Sequence, residues 1–94
     1  MANSILQDEK QCYFCESQQN LHCHHIFFGA NRKISEQNGF KVWLCMDCHE
    51  GTDGVHGKNG HEKDIKLKQA AQTAYEDLGH TTEQFRQLIG KSYL

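Results

Sequence analysis

Four of the five cysteines have the spacing of a metal-binding knuckle. Cys12 and Cys15 are separated by two residues, and so are Cys45 and Cys48. A two-residue gap lets both thiolates of a tight turn reach one ion, and two such pairs complete a closed tetrahedral site with Zn–S distances of about 2.3 Å. Two matched pairs favour a structural Zn²⁺ over redox-active or free thiols, and bound metal would contribute to folding stability. The fifth cysteine, Cys23, is expected to point into the core.

Two adjacent histidines lie in an apolar run between the cysteine pairs. His24 and His25 belong to residues 21–28, which read as a β-strand. Because neighbouring side chains on a strand point to opposite faces, we expect the two imidazoles to have different tasks. His24 could bind a divalent cation, whereas His25 could be the general base, because a neutral imidazole can deprotonate water at pH 7.

Two further histidines follow the second cysteine pair. His49 comes directly after Cys48, and His56 lies seven residues later in a glycine-rich stretch. The glycines argue against a continuous helix and favour a loop that brings His56 back towards His49. One or both of these imidazoles could complete a metal site with His24 that leaves positions open for water and phosphate. Asp53 is a weaker alternative ligand.

The elements that must position these side chains follow from hydropathy and turn residues. Residues 40–44 alternate as a second strand that would pair antiparallel with the first, and residues 31–39 between them read as a polar loop. Residues 62–78 carry one apolar stripe at helical spacing, formed by Leu67, Ala71, Ala74, Tyr75 and Leu78. Thr81 and Gln84 form a capping box that starts a last helix, which stops at Gly90.

Composition limits the classes of protein that the chain can represent. Ninety-four residues with 37% apolar content make one small domain, which usually needs a covalent or metal staple. The formal net charge of −2 lacks the strongly basic footprint of many nucleic-acid binders. No secretory signal and no apolar run of membrane-spanning length are visible, so we expect a protein of the reducing cytoplasm without a membrane partner.

The order of these motifs resembles the HNH endonucleases of the ββα-metal, treble-clef-like class. The resemblance rests on the Cys-x-x-Cys pair, on His24-His25-Ile26 and on Leu44-Cys45-x-x-Cys48-His49, and it covers about residues 12–60. The stretch Gly51-x-x-Gly54-Val55-His56-Gly57 looks like a subgroup found in small phage proteins and phage recombination-enhancing nucleases. The resemblance implies a small α+β fold. One domain over residues 1–94 would hold zinc knuckles and a zinc-stapled ββα core over residues 12–60, followed by C-terminal helices over residues 61–94.

The resemblance also implies roles for individual residues. His25 matches the general base, His24 the first metal ligand and His49 the last motif histidine. Asn38 lies nearest to the place of the motif's central Asn, which orients the base by hydrogen bonding. The implied cofactors are a structural Zn²⁺ and a catalytic divalent cation (Mg²⁺, Mn²⁺, Ni²⁺ or Zn²⁺), the implied substrate is DNA, and the implied location is the cytoplasm of a bacterial host cell.

Two positively charged residues lie between the predicted strands. Arg32 and Lys33 could bind a phosphate that flanks the cut site.

Two other functions are consistent with the same motifs. One is a non-catalytic zinc module that binds nucleic acid or protein. The other is a regulatory subunit whose helix 62–78 docks a larger nuclease or a phage replication or recombination protein. The oligomeric state stays open.

Overall fold

The computed structural model describes residues 3–94, which form two β-strands and four α-helices. In chain order these are β1 (Leu21–His25), α1 (Arg32–Asn38), β2 (Lys41–Cys45), α2 (Met46–Glu50), α3 (His61–Asp77) and α4 (Thr82–Ile89), with a 3₁₀ turn at Gly29–Asn31 before α1. The predicted small α+β fold, a two-stranded antiparallel hairpin with helices after it, is confirmed in this architecture. Within residues 3–94, no helix is both long and apolar enough to cross a bilayer.

The two strands pair antiparallel in a register that fixes which histidines share a face. His22 pairs with Leu44, His24 with Val42 and His25 with Lys41. Val42 and Leu44 are buried, and His24 is only 2% exposed. Because side chains alternate along a strand, His22 and His24 lie on this covered face, whereas His25 lies on the other.

The segment between the strands is helical, which corrects the prediction of a polar loop over residues 31–39. Arg32–Asn38 forms α1, and Gly39 ends it in the left-handed region at φ 73°. The Asn-Gly turn signal was therefore a helix C-terminus, a place where glycine is favoured because it carries no Cβ. Buried Ser35 anchors this helix, since its hydroxyl donates to the Phe27 carbonyl and accepts from the Phe27 N–H.

The C-terminal helices follow their sequence signals closely. α3 begins and ends one residue before its predicted bounds, and α4 has the predicted capping box at Thr81 and a left-handed Gly90 after its end. Two details of the apolar stripe differ: Leu78 is 65% exposed, and Gln72 is fully buried. Gln72 tolerates burial because its amide bonds the backbone N–H of Tyr93 and the side chain of Ser92.

One core joins the hairpin to the last two helices. Phe27, Phe40 and Phe85 pack edge to face, with ring centroids 5.4 to 6.1 Å apart. Such aromatic contacts add to the stabilisation from burial. Ile26, Val42, Leu44, Leu67 and Ala71 are also buried in this core.

Cys23 is exposed, which corrects the expectation that it points into the core. It lies on the same face of β1 as His25 and lines an open groove with Lys41 and Trp43. The core covers the other face of the hairpin, so strand alternation leaves Cys23 outside.

Candidate metal centres

The two cysteine pairs come together at one point, which we call the cysteine site. The four sulfurs of Cys12, Cys15, Cys45 and Cys48 lie within 4.8 Å of one another, and those of Cys15 and Cys45 are 3.5 Å apart. Two sulfurs that each lie about 2.3 Å from a tetrahedral zinc ion are separated by roughly 3.8 Å. The cluster therefore has the size and donor set for one metal ion.

Backbone hydrogen bonds hold the two cysteine pairs in position. The first pair forms a turn in which the Glu16 N–H donates to the Cys12 carbonyl at 2.9 Å, and the Tyr13 N–H donates to the Trp43 carbonyl at 2.9 Å. The second of these bonds attaches the turn to β2, whose last residue is Cys45. The second pair lies at the end of β2 and the start of α2, so the site joins three parts of the chain.

The thiols of the cysteine site have strongly perturbed acidities. Burial raises the pKa of Cys12, but the backbone groups of Cys15, Cys45 and Phe14 together lower it further, to about 6. Burial and the neighbouring cysteines raise the pKa of Cys48. One thiolate thus opposes ionisation of the next, as like charges do. A divalent cation removes this conflict, and the residues fit such an ion.

Three imidazoles form a second cluster, the His24 site, made of His24, His49 and His56. The ring centroids are 5.1 Å apart for His24–His49, 5.1 Å for His24–His56 and 4.7 Å for His49–His56. One nitrogen from each ring lies within 4.8 Å of the others. A strand, a short helix and a loop thus bring together three ligands of the type that open divalent-cation sites use.

His24 itself shows that the cluster suits a cation. Its Nε2 atom is buried and has no hydrogen-bond partner among residues 3–94. An unsatisfied buried nitrogen costs about 1–3 kcal/mol, which coordination would offset. Burial, and then the charges of His49 and His56, lower the pKa of His24 to about 3. The ring is therefore neutral near pH 7, the form in which an imidazole binds metal.

A glycine-rich loop returns His56 to His49. The His56 N–H donates to the His49 carbonyl at 3.0 Å, and the Val55 N–H donates to the Cys48 carbonyl at 2.9 Å. This path needs a very close backbone approach, since a Cβ on Gly57 would lie 1.9 Å from the Gly51 carbonyl oxygen. Glycine is required there for steric reasons. The backbone of the loop after α2 thus fixes the distance between the imidazoles of His49 and His56.

His25 lies outside the His24 site and has its own partners. Its Nε2 is 3.3 Å from Glu36 Oε1, and the ammonium of Lys41 bonds the other oxygen of the same carboxylate. The side chains of His25 and Lys41 are only 10% and 9% exposed, whereas that of Glu36 is 33% exposed. The hydrogen bond from Lys41, and then that from His25, lower the pKa of Glu36. An ionised carboxylate therefore holds the imidazole.

Glu36, and not Asn38, contacts the His25 imidazole. The structure does not bring Asn38 to His25, because the Asn38 amide donates to the Ile34 carbonyl within α1 at 2.9 Å. With residues 31–39 predicted to be a loop, the sequence offers no reason to expect Glu36 as the partner of His25. Once the segment is helical, Asn38 lies two residues further along α1 and occupies a different side of the helix.

The remaining predicted residues are outside the clusters of candidate ligands. Arg32 and Lys33 are exposed in the first turn of α1. The carboxylate of Asp53 accepts a hydrogen bond from the Asn59 amide at 3.1 Å and is not one of the clustered ligands. Asp53 therefore belongs to the loop's internal bonding.

Sequence reasoning missed three residues beside the His24 site. His22 Nδ1 lies 3.1 Å from His49 Nδ1. Phe28 is 48% exposed, its ring centroid lies 5.4 Å from that of His56, and the Lys68 ammonium lies 4.9 Å from the Phe28 ring centre. Strand alternation could have identified His22, which lies two residues before His24, whereas Lys68 enters from a distant helix.

Compared with models of known protein families, with curated proteins and with solved structures, the chain matches none of them. The similarity of its motifs to HNH endonucleases therefore stays a hypothesis.

Proposed function

We propose that the protein is a metal-dependent endonuclease of the HNH type that hydrolyses DNA phosphodiester bonds. The observation that carries this proposal is the contrast between two adjacent residues. His24 contributes to a cluster of three imidazoles, and His25, on the opposite face of β1, is held by a carboxylate. Phosphodiester hydrolysis needs both a cation at the phosphate and a base for water.

The His24 site would hold the divalent cation. Three imidazoles leave coordination positions free for a phosphate oxygen and water, and the partly exposed side of the cluster at His56 faces solvent. A cation bound there would supply Lewis-acid stabilisation of the negative charge that develops on the phosphate oxygens. The contribution of the chain is to hold three neutral rings at short distances from one another.

His25 would act as the general base through Nδ1. Its Nε2 faces the Glu36 carboxylate, so a neutral ring carries its proton on Nε2 and leaves the Nδ1 lone pair free. Water that loses a proton to Nδ1 attacks phosphorus, the bond between phosphorus and the departing sugar oxygen breaks, and that oxygen takes a proton from solvent water. The carboxylate stabilises the imidazolium that results. Lys41 keeps Glu36 ionised and fixes its orientation.

The position of both histidines at the end of β1 explains how one phosphate can contact both faces. His24 and His25 are the last two residues of β1, and their Cα atoms are about 3.8 Å apart. Within the described residues β1 pairs with β2 alone, so its other edge has no strand partner. A phosphodiester that crosses this edge meets His25 on one face and the His24 site on the other.

The cysteine site would bind the structural Zn²⁺ and support the His24 site. Cys48 and His49 are consecutive residues of α2, and Cys45 ends β2. An ion held by the four sulfurs would therefore fix α2 against the hairpin. Arg32 and Lys33 would contact backbone phosphates beside the cut, where positive side chains position DNA without reading its sequence.

Plasmid nicking tests the proposal directly. Supercoiled plasmid is incubated with the wild type, with His25→Ala and with the control His61→Ala, each with Mg²⁺, Mn²⁺ or Ni²⁺. His61 is exposed at the start of α3 and outside the clusters, so its variant should cut like the wild type. Loss of the base should slow cutting about 10²- to 10⁴-fold. A wild type that never cuts, or a His25→Ala variant that cuts equally well, would overturn the nuclease proposal in favour of a binding module.

A further inference from the structure

His49 has a second set of neighbours that the proposed mechanism does not use. His22, His49 and Glu50 each offer one ligand atom, and these atoms lie within 4.8 Å of one another. His22 and His24 are two residues apart on the same face of β1, and His49 lies close to both. The strand thus presents two histidines to one helix, and His49 clusters with His24 and His56 as well as with His22 and Glu50.

We propose that His22, His49 and Glu50 form a second divalent-cation site, the His22 site, which shares His49 with the His24 site. Two imidazoles and a carboxylate form the donor set of many open zinc sites. This donor set favours Zn²⁺, Co²⁺ or Ni²⁺ over Mg²⁺, which prefers oxygen ligands alone. The inference rests on the proposed His24 site in that it shares His49, and it does not depend on DNA cleavage.

The spacing of the two Nδ1 atoms fits a pair of ligands. His22 Nδ1 and His49 Nδ1 are 3.1 Å apart. Nitrogens that each lie about 2.0–2.1 Å from a tetrahedral ion are separated by roughly 3.3 Å. Both rings are partly exposed, and Glu50 is exposed at the end of α2, so an ion can reach the three side chains from solvent.

Sharing His49 makes the two sites mutually exclusive. A neutral imidazole has one nitrogen with a lone pair and one that carries a proton, so His49 can serve one ion at a time. An ion at the His22 site therefore withdraws His49 from the His24 site and leaves only His24 and His56 there. The His22 site acts as a holding position that competes with the catalytic arrangement.

Metal titration of variants tests the His22 site without any activity measurement. Protein that already carries one Zn²⁺ per chain is titrated with Co²⁺ by calorimetry and by absorption. The double variant His24→Gln/His56→Ala lacks two ligands of the His24 site and should still bind one equivalent of Co²⁺. Adding His22→Gln or Glu50→Gln to the double variant should weaken that binding roughly tenfold or more. His61→Ala in the same background should bind like the double variant.

Three outcomes would overturn the inference. In the first outcome, the double variant binds no Co²⁺ in addition to its Zn²⁺. In the second, the added His22→Gln or Glu50→Gln substitution leaves the affinity of the double variant for Co²⁺ unchanged. If the double variant loses its near-ultraviolet dichroism, His22→Gln is tested alone. If His22 is a ligand of the competing site, His22→Gln alone should not lower the Co²⁺ affinity of the His24 site. If His22 only orients His49, His22→Gln should lower that affinity about 10- to 100-fold, which would contradict the inference.

These results are independent of the nuclease proposal. A wild type without cutting activity leaves the Co²⁺ titration unaffected, and failure of the Co²⁺ titration leaves plasmid nicking unaffected.

Discussion

The cysteine site and the His24 site share α2 but differ in how completely the chain encloses them. The cysteine site has four like donors and joins the first turn, β2 and α2. The His24 site has three donors, whose solvent exposure increases from buried His24 to exposed His56. Four ligands close the coordination of a tetrahedral ion, whereas three leave room for water and substrate. The α2 helix thus carries one candidate ligand of the closed site, Cys48, next to one of the open site, His49.

The largest effect should come from breaking the closed site. Cys48→Ser should unfold the chain or lower its free energy of unfolding by several kcal/mol, because structural zinc contributes about 10–16 kcal/mol of apparent binding free energy in small domains. Far-ultraviolet dichroism and metal content measure this loss. Cys23→Ser is the matched control, since Cys23 is exposed and outside the cluster. Equal stability of the two variants would contradict a structural metal.

Removing the exposed ligand of the open site should damage chemistry and spare the fold. His56→Ala should keep the wild-type dichroism and its first Zn²⁺, yet lose roughly 10²-fold in cutting rate because the cation has only two imidazoles left. Nicking assays with stability measurements by thermal melts separate the two effects. A large fall in melting temperature would show that the open site also carries stability.

The orienting carboxylate should matter less than the ligands. Glu36→Gln keeps the shape of the side chain but removes the charge that holds His25 Nε2. Cutting should slow by roughly 10- to 100-fold, the range for loss of a hydrogen-bonding partner of a functional histidine. Cation affinity should stay at the wild-type value, because His25 is not a ligand. Weaker cation binding by Glu36→Gln would show that Glu36 supports the His24 site and does not act through His25 alone.

The loop that carries His56 offers a gentler way to disturb the open site. Gly57→Ala places a Cβ against the Gly51 carbonyl, so the loop must shift. The affinity of the His24 site for its cation should fall by about tenfold, equal to about 1.4 kcal/mol, whereas the cysteine site should keep its Zn²⁺. Gly79→Ala is a useful contrast, because that glycine has open space around it and only a left-handed φ. Unchanged cation affinity in Gly57→Ala would show that the loop does not set the position of His56.

The smallest effect is a pH dependence below pH 5. Lys41 and then His25 lower the pKa of Glu36 below its ordinary value of 4.5. A carboxylate with a lowered pKa contributes stability that is present above the ordinary value and is lost as pH falls through the folded value. Carboxyl ¹³C titration should therefore show Glu36 titrating below its ordinary value, and Lys41→Met should move it upward. A Glu36 titration that Lys41→Met leaves unchanged would show that the ion pair is absent in solution.

Local patterns predicted the parts of the molecule that depend on neighbours in the sequence. Cysteine spacing predicted which thiols form a cluster, alternation separated His24 from His25, and Thr81 with Gln84 predicted the start of α4. Each of these signals acts within a few residues, because a turn, a strand pleat or a helix cap is built from consecutive backbone groups. The return of His56 to His49 also followed from the glycines, although not its distance.

Only the tertiary structure decided which distant groups meet. Residues 32–38 are helical, and this places Glu36 rather than Asn38 beside His25 and joins it to Lys41 from β2. The hairpin register leaves Cys23 exposed, and the packing of the C-terminal segment buries Gln72 by satisfying its amide. A sequence pattern states which residues share a face of one element. It does not state which other element covers that face, because that choice depends on packing and hydrogen bonding across the whole chain.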